Sequence, residues 1–270
     1  MNSRFSKIYT CFPGGKHKVL TMSYDGGREE DRKLIDIFNT YEIKGTFHLC
    51  GGIDWDERRI PLGEYNKVYQ GHEIASHTYT RPNLTRIPIE QVISQVLDNR
   101  KVLEAIVKYP VQGFSYPYGA YNKAVKETLK TLGVRYSRIT GNSESFELPN
   151  DFYEWKPTCH QEHNLLELGK QFTELHNHQY LPLFYIWGRS YELTNEHKWE
   201  QIEKFCELVG NKSDTWYATS IQIVMYIEAA NQLQYGADLG FVYNPSAISV
   251  WVSIDRDIIE IPGGKQVNLS

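Results

Sequence analysis

Residues 18–49 read KVLTMSYDGGREEDRKLIDIFNTYEIKGTFHL. An apolar run ends on a single carboxylate, Asp25, and Gly26 and Gly27 follow at once. Residues 18–24 read as a buried strand. Leu34, Ile35, Ile37, Phe38 and Tyr41 then recur at helical spacing, and residues 44–49 read as a second strand. A strand, a helix and a strand in that order form the unit of a parallel sheet with helices outside it. A carboxylate at the end of such a strand stands where barrel enzymes mount their chemistry.

The same alternation continues along the chain. Residues 72–77 (HEIASH) form a short strand, and a long amphipathic helix runs from about Ile89 to Lys108, with Val92, Ile93, Val96, Leu103, Ile106 and Val107 on one side. Residues 113–119 (GFSYPYG) are a strand running into a Pro-Gly turn. The next helix closes at Gly133, and VRYSRI follows as a strand. Residues 181–187 (LPLFYIW) are the strongest strand of all. Helices are expected at 195–209 and 220–235, separated by a strand-like TWYAT, and the last thirty residues or so read as three short β segments with Pro and Gly turns. About seven such units suit a barrel better than an open sheet. No linker, repeat or low-complexity tract divides the chain, so residues 1–270 are expected to form one unit with its core at about 17–245. The residues at the expected strand ends are Asp25, His48 to Cys50, His77, Tyr116 to Gly119 and Trp187 to Arg189.

The bulk numbers exclude several classes. A chain of 270 residues with 41% hydrophobic and 23% charged residues is that of an ordinary globular protein with a sizeable core. A net charge of -4 implies no basic face, so nucleic acid is not an expected partner. No run approaches a membrane span. The first eighteen residues lack the apolar centre of a signal peptide, and the expected location is cytoplasmic. Cys11, Cys50, Cys159 and Cys206 make no Cys-x-x-Cys pair, so free thiols are the default. With 19 Tyr and 6 Trp the chain is rich in aromatics, which means either a large core or a groove that stacks on sugar rings.

Taken together, the segments resemble the polysaccharide deacetylases, the NodB-homology family of carbohydrate esterases, from about residue 17 to 245. Where members carry Thr-Phe-Asp-Asp-Gly and Ala-Thr-Phe, this chain has Ser23-Tyr24-Asp25-Gly26-Gly27 and Gly45-Thr46-Phe47. Where members carry Gly-His-Glu-Ile and then His-Ser/Thr-x-x-His, it has Gly71-His72-Glu73-Ile74 and His77-Thr78-Tyr79-Thr80-Arg81. Arg-x-Pro-x-Gly becomes Ser115-Tyr116-Pro117-Tyr118-Gly119, and the late strand that carries a functional His has Arg189 at that place. The resemblance implies a distorted (β/α)7 TIM-like barrel, here with a short β-rich C-terminal segment. It also implies a carbohydrate partner and a zinc ion, held by the second Asp and both His residues, that activates water. The first Asp would be the base, a backbone N–H of the Pro-x-Gly turn would help hold the oxyanion, and the late His would protonate the leaving amine.

Aligned through Ser23 to Gly27, Asp25 is the base and Gly26 stands for the metal Asp. A register one residue over would make Asp25 the ligand and Tyr24 the base, but it puts the following strand out of step. Arg81 replaces the second His and Arg189 the late acid. A guanidinium has no lone pair for a metal, and one His is short of the three protein ligands a zinc site needs. The expectation is therefore no metal and no cofactor, and a catalytically impaired, saccharide-binding relative. The alternative is an active deacetylase that uses Asp25 with a relocated metal or none. Asp25 and Tyr118 (through its backbone N–H) are the candidate catalytic residues, and His77, Arg81, Trp155 and Arg189 the candidate binding residues. Trp155 could equally be a core Trp. Cys159, His160 and His163 could serve a relocated metal, with structural use the commoner reading. Two arginines facing one aspartate leave a positive charge, which suits an anionic saccharide.

Overall fold

A computed structural model describes residues 7–53, 56–176 and 180–269. The strand expected at 18–24 is β2 (Lys18–Asp25), preceded by a short strand, β1 (Ile8–Cys11). All eight residues of β2 are buried, as expected of a parallel strand covered on both faces. The charged end of Lys18 is accommodated by Asp214 at 2.8 Å and by the carbonyls of Phe172 and Thr173. Next come α1 (Glu30–Thr40), which buries Leu34, Ile35, Ile37 and Phe38, then β3 (Gly45–Leu49), α2 (Tyr65–Val68) and β4 (Glu73–Ser76).

The long helix α3 (Ile89–Val107) buries Val92, Val96, Asn99 and Leu103. Asn99 reads the strand ends directly: its amide bonds the Gly51 N–H at 2.6 Å, the Leu49 carbonyl at 2.8 Å and Ser76 Oγ at 2.7 Å. Then follow β5 (Gly113–Ser115), α4 (Lys123–Thr131), β6 (Tyr136–Arg138), β7 (Cys159–His160), α5 (Leu165–Thr173), β8 (Leu183–Gly188), α6 (Glu196–Val209), β9 (Thr215–Tyr217) and α7 (Ser220–Asn231). Asn122 caps α4 by accepting from the Val125 N–H, and Gly133 sits just beyond its end at φ +80.

The strands lie in the order β6-β5-β4-β3-β2-β8-β7, every pair parallel, with β9 beside the lower part of β2. On that side β2 is shared: residues 18–20 pair with β9 and residues 22–25 with β3. The segment leading into β7 closes the curve. Trp155 bridges to Arg138 of β6, its N–H bonding the Ser137 carbonyl at 3.1 Å, and four residues later β7 pairs with β8. The result is the distorted (β/α)7 barrel.

Three differences from the sequence reading stand out. Helix α7 stops at Asn231, and Gln234–Tyr235 is a strand, β10. The C-terminal stretch holds four strands, not three: β11 (Phe241–Tyr243), β12 (Val250–Ile254), β13 (Asp257–Ile261) and β14 (Gln266–Asn268). They form two small antiparallel sheets, β1-β12-β13 and β10-β11-β14. Helix α5, which the sequence reading passed over, buries Leu165, Leu168, Gly169 and Phe172; Gly169 interrupts the apolar pattern because its place lies against Phe205.

The lower end of the barrel is closed by polar chemistry. Glu73 accepts from Thr46 Oγ1 (2.9 Å), Tyr136 Oη (2.8 Å) and the Ile221 N–H (2.9 Å), so its carboxyl lies at the N-terminal turn of α7. The four cysteines are free and buried, as the spacing suggested. Among the described residues no helix is long and apolar enough to cross a membrane.

Candidate functional site

Asp25 ends β2 at the upper mouth of the barrel and is 8% exposed. Its closest partner is Arg138, the last residue of β6, which is 1% exposed and contacts Asp25 Oδ1 through Nη2. Ser115, the last residue of β5, donates its hydroxyl to the same oxygen at 3.0 Å. Arg189 Nε lies 3.7 Å from Asp25 Oδ2, and His77 Nδ1 lies 3.8 Å from Oδ1. Burial by itself would raise the Asp25 pKa. The Arg138 guanidinium, with His77 and His48 beyond it, outweighs burial and holds the carboxyl well below the usual carboxylate range.

A chain of hydrogen bonds fixes the His77 tautomer. The Ser115 hydroxyl proton goes to Asp25, so Ser115 Oγ accepts from His77 Nδ1 at 2.6 Å, and the Ser115 carbonyl also lies 3.0 Å from Nδ1. The proton is on Nδ1, and Nε2 carries a bare lone pair that is buried and has no partner among the described residues. Burial lowers the His77 pKa to about 4; Asp25 pulls it up, and Arg138 and Arg81 push it down. The ring is neutral at physiological pH.

A cavity of about 30 Å³ opens here, lined by Asp25, His48, His77, Arg59, Arg81 and Arg189, with Arg28 and Tyr191 at its edge. Arg81 and Arg189 both reach it, as the motif positions suggested. They differ in what holds them. Arg189 bonds Glu192 Oε1 at 2.7 Å. Arg81 lies over the Tyr118 ring at 5.4 Å, and the buried Nε of each arginine has no hydrogen-bond partner among the described residues. Thr78, Arg81 and Tyr118 are non-glycine residues with left-handed backbones, at φ +66, +61 and +62. The Arg81 N–H bonds Thr78 Oγ1 at 2.9 Å, which helps to hold that loop. Strained conformers of this kind gather at functional sites.

The other candidates divide. Tyr118 stands at the rim, 62% exposed. Trp155 is in the core, not on a groove wall: it is 1% exposed and packs against Tyr185, Phe152 and Tyr136. Cys159 is buried, while His160 pairs with Glu192 and His163 with Glu144. Among the described residues no group of three or more His, Cys, Asp or Glu side chains is placed to hold a metal ion. At Gly26, where the resemblance expects a metal carboxylate, a Cβ would come 2.6 Å from Asp31 Oδ2. Asp31 is itself fixed by the Gly27 N–H at 2.7 Å, by Tyr69 Oη at 2.6 Å and by Ser190. The donor set does not fit the zinc site of the resemblance.

The sequence reading missed Arg138, Arg59 and Asp31. A signal existed for Arg138. In a strand, side chains alternate between faces, so Tyr136, which faces into the barrel toward Glu73, puts Arg138 on the same inner side. Arg59 comes from a loop, where no periodicity could have pointed to it.

These features define an α/β-barrel protein with a built polar site at the carboxyl ends of its strands. Residues 13–137 match the family model for polysaccharide deacetylases. The chain is 28% identical over 120 residues to a peptidoglycan-N-acetylglucosamine deacetylase of Bacillus cereus, covering 44% of this chain and 54% of that one. It is 27% identical over 128 residues to a chitooligosaccharide deacetylase of Sinorhizobium fredii, covering 47% and 54%. The match thus spans about half the length of these curated relatives. A Mycobacterium smegmatis structure ascribed to the polysaccharide deacetylases superposes with a TM-score of 0.62 at 14% identity, covering 83% of this chain and 94% of that one. A family 4 carbohydrate esterase pseudoenzyme from Bacillus anthracis superposes with a TM-score of 0.50 at 16% identity, covering 80% and 68%. Both structural likenesses concern the fold alone. Residues 13–137, a little under half of the chain, are thus similar to the polysaccharide deacetylases.

Proposed function

We propose that the protein is a saccharide-binding relative of the polysaccharide deacetylases that does not carry out the family's metal-dependent hydrolysis. The observation that carries this reading is the Asp25–Arg138 contact. A general base works best with a pKa near the working pH, and Arg138 holds Asp25 far below that range. The same guanidinium contributes positive charge beside the carboxylate that would otherwise help to balance a dication. Carbohydrate as the partner is supported by the family. An anionic saccharide is supported by the five arginines at or beside the cavity, Arg28, Arg59, Arg81, Arg138 and Arg189. Residues 1–270 are read as one unit.

The test is metal content together with turnover. Protein purified without chelator is assayed for zinc, and acetate release from acetylated chitooligosaccharides is followed with and without added zinc or cobalt, in the natural protein and in Asp25→Asn. The expected result is no stoichiometric zinc, no acetate release, and measurable saccharide binding by calorimetry. Tight uptake of about one metal equivalent, with metal-dependent acetate release lost in Asp25→Asn, would establish the active-deacetylase alternative instead.

A further inference from the structure

Three of the five arginines around the cavity already have a carboxylate. Arg28 contacts Asp56, Arg138 contacts Asp25, and Arg189 bonds Glu192. Arg59 and Arg81 have none among the described residues, yet Arg59 Nε and Nη2 and Arg81 Nε are all buried and unpartnered. The two guanidinium groups line the same cavity and both act on the Cys50 thiol there. Buried donors of a charged group without an acceptor are costly, and two of them in one small cavity call for an acceptor from beyond the described residues. One buried acceptor is also free: His77 Nε2, whose tautomer the Ser115–Asp25 chain sets.

We propose that Arg59 and Arg81 form an oxyanion site at the barrel mouth, and that it takes a carboxylate or phosphate head group whose neighbouring hydroxyl donates to His77 Nε2. The inference rests on the saccharide-binding reading and deepens it. The inner cavity, about 30 Å³, is far too small for a sugar ring, so the ring of the ligand lies outside, on the side of Tyr191. A uronic acid and a sugar phosphate both present this pattern, and a neutral N-acetylated sugar does not. A site that the resemblance reserves for a cation thus holds an anion, and Arg81, which stands where a metal-ligating His is expected, is one of the two groups that bind it.

Isothermal titration with glucuronate, glucose 6-phosphate, inorganic phosphate, glucose and N-acetylglucosamine oligomers tests this on the whole protein. Expected are binding of one or both acidic sugars over the neutral ones, about tenfold or greater loss in Arg59→Gln and in Arg81→Gln, and weakening with added salt. Arg81→Lys, which keeps the charge and loses the planar fork, should lie between. Thermal melts of each variant separate loss of binding from loss of fold, and the salt dependence of the natural protein needs no variant. If phosphate binds through the two arginines and no sugar binds, the oxyanion site stands and the saccharide reading falls. Neutral oligomers bound equally by the natural protein and both Gln variants would overturn the oxyanion site and leave the saccharide reading intact. No binding of any acid or phosphate at millimolar concentration also overturns it.

Discussion

The Asp25–Arg138 pair sets the behaviour of the site at the level of single residues. Both side chains are buried, so neither charge can be removed alone without stranding the other. Asp25→Asn is expected to destabilise the protein by about 3–5 kcal/mol. The double variant Asp25→Asn, Arg138→Met should recover much of that loss in urea titrations. Simple addition of the two single losses would mean that the pair is not coupled. Gly26→Asp, the substitution that would put back the family's metal carboxylate, faces Asp31 across 2.6 Å. It is expected to lower stability by about 1–3 kcal/mol through overpacking and to bind no zinc, as melting curves and elemental analysis would show. The place of Asp25 at a strand end was legible because a strand-ending carboxylate is a local feature. Its partner was not, because Arg138 is 113 positions away.

Among the elements, β4 joins the two ends of the barrel. Its Glu73 closes the bottom against α7, and His77, just beyond its end, serves the top. Burial raises the Glu73 carboxyl to about 7, against the lowering effect of the Ile221 N–H, Tyr136, Thr46 and Thr219. The unfolded value is about 4.3. Because the folded pKa is the higher one, the fold retains a proton that the unfolded chain has released. This group's stabilising share is complete below about pH 4.3 and is lost as pH rises to about 7, by up to about 4 kcal/mol. In Glu73→Gln this decline is expected to disappear, so the variant should gain on the natural protein as pH rises. An unchanged pH profile in the variant would rule out the assignment. The helices were readable from their apolar period, α3 and α6 most clearly. The end of α7 was misread because Gln234 and Tyr235 continue a plausible helical pattern, while their pairing with Tyr243 and Val242 depends on a strand that comes later in the chain.

For the whole molecule, acid sensitivity follows from three buried imidazoles. Burial lowers His72 and His77 to about 4 each, and His48 well below its ordinary value. Their folded values lie below the unfolded value of about 6.5, so the unfolded chain takes up protons first. Stability contributed by these rings is present above about pH 6.5 and is lost as pH falls toward about 4. Asp25, whose folded pKa is depressed, adds a further loss below about pH 4. Denaturant titrations across this range should show stability falling on the acid side more steeply than Glu73 alone could offset. A flat profile between about pH 4 and 6.5 would show that the histidines are not buried neutral. The order of strands and helices, the parallel barrel and the place of Asp25 at a strand end were determined by the sequence itself, since hydrophobic period and turn residues act over a few positions. Which charges meet was decided only by the tertiary structure. Asp25, Ser115 and Arg138 come from three strands that curvature and register bring to one mouth, and no local pattern encodes that meeting. Trp155 shows the same limit from the other side: its type suited a groove wall, and the closure between β6 and β8 turned it into the core.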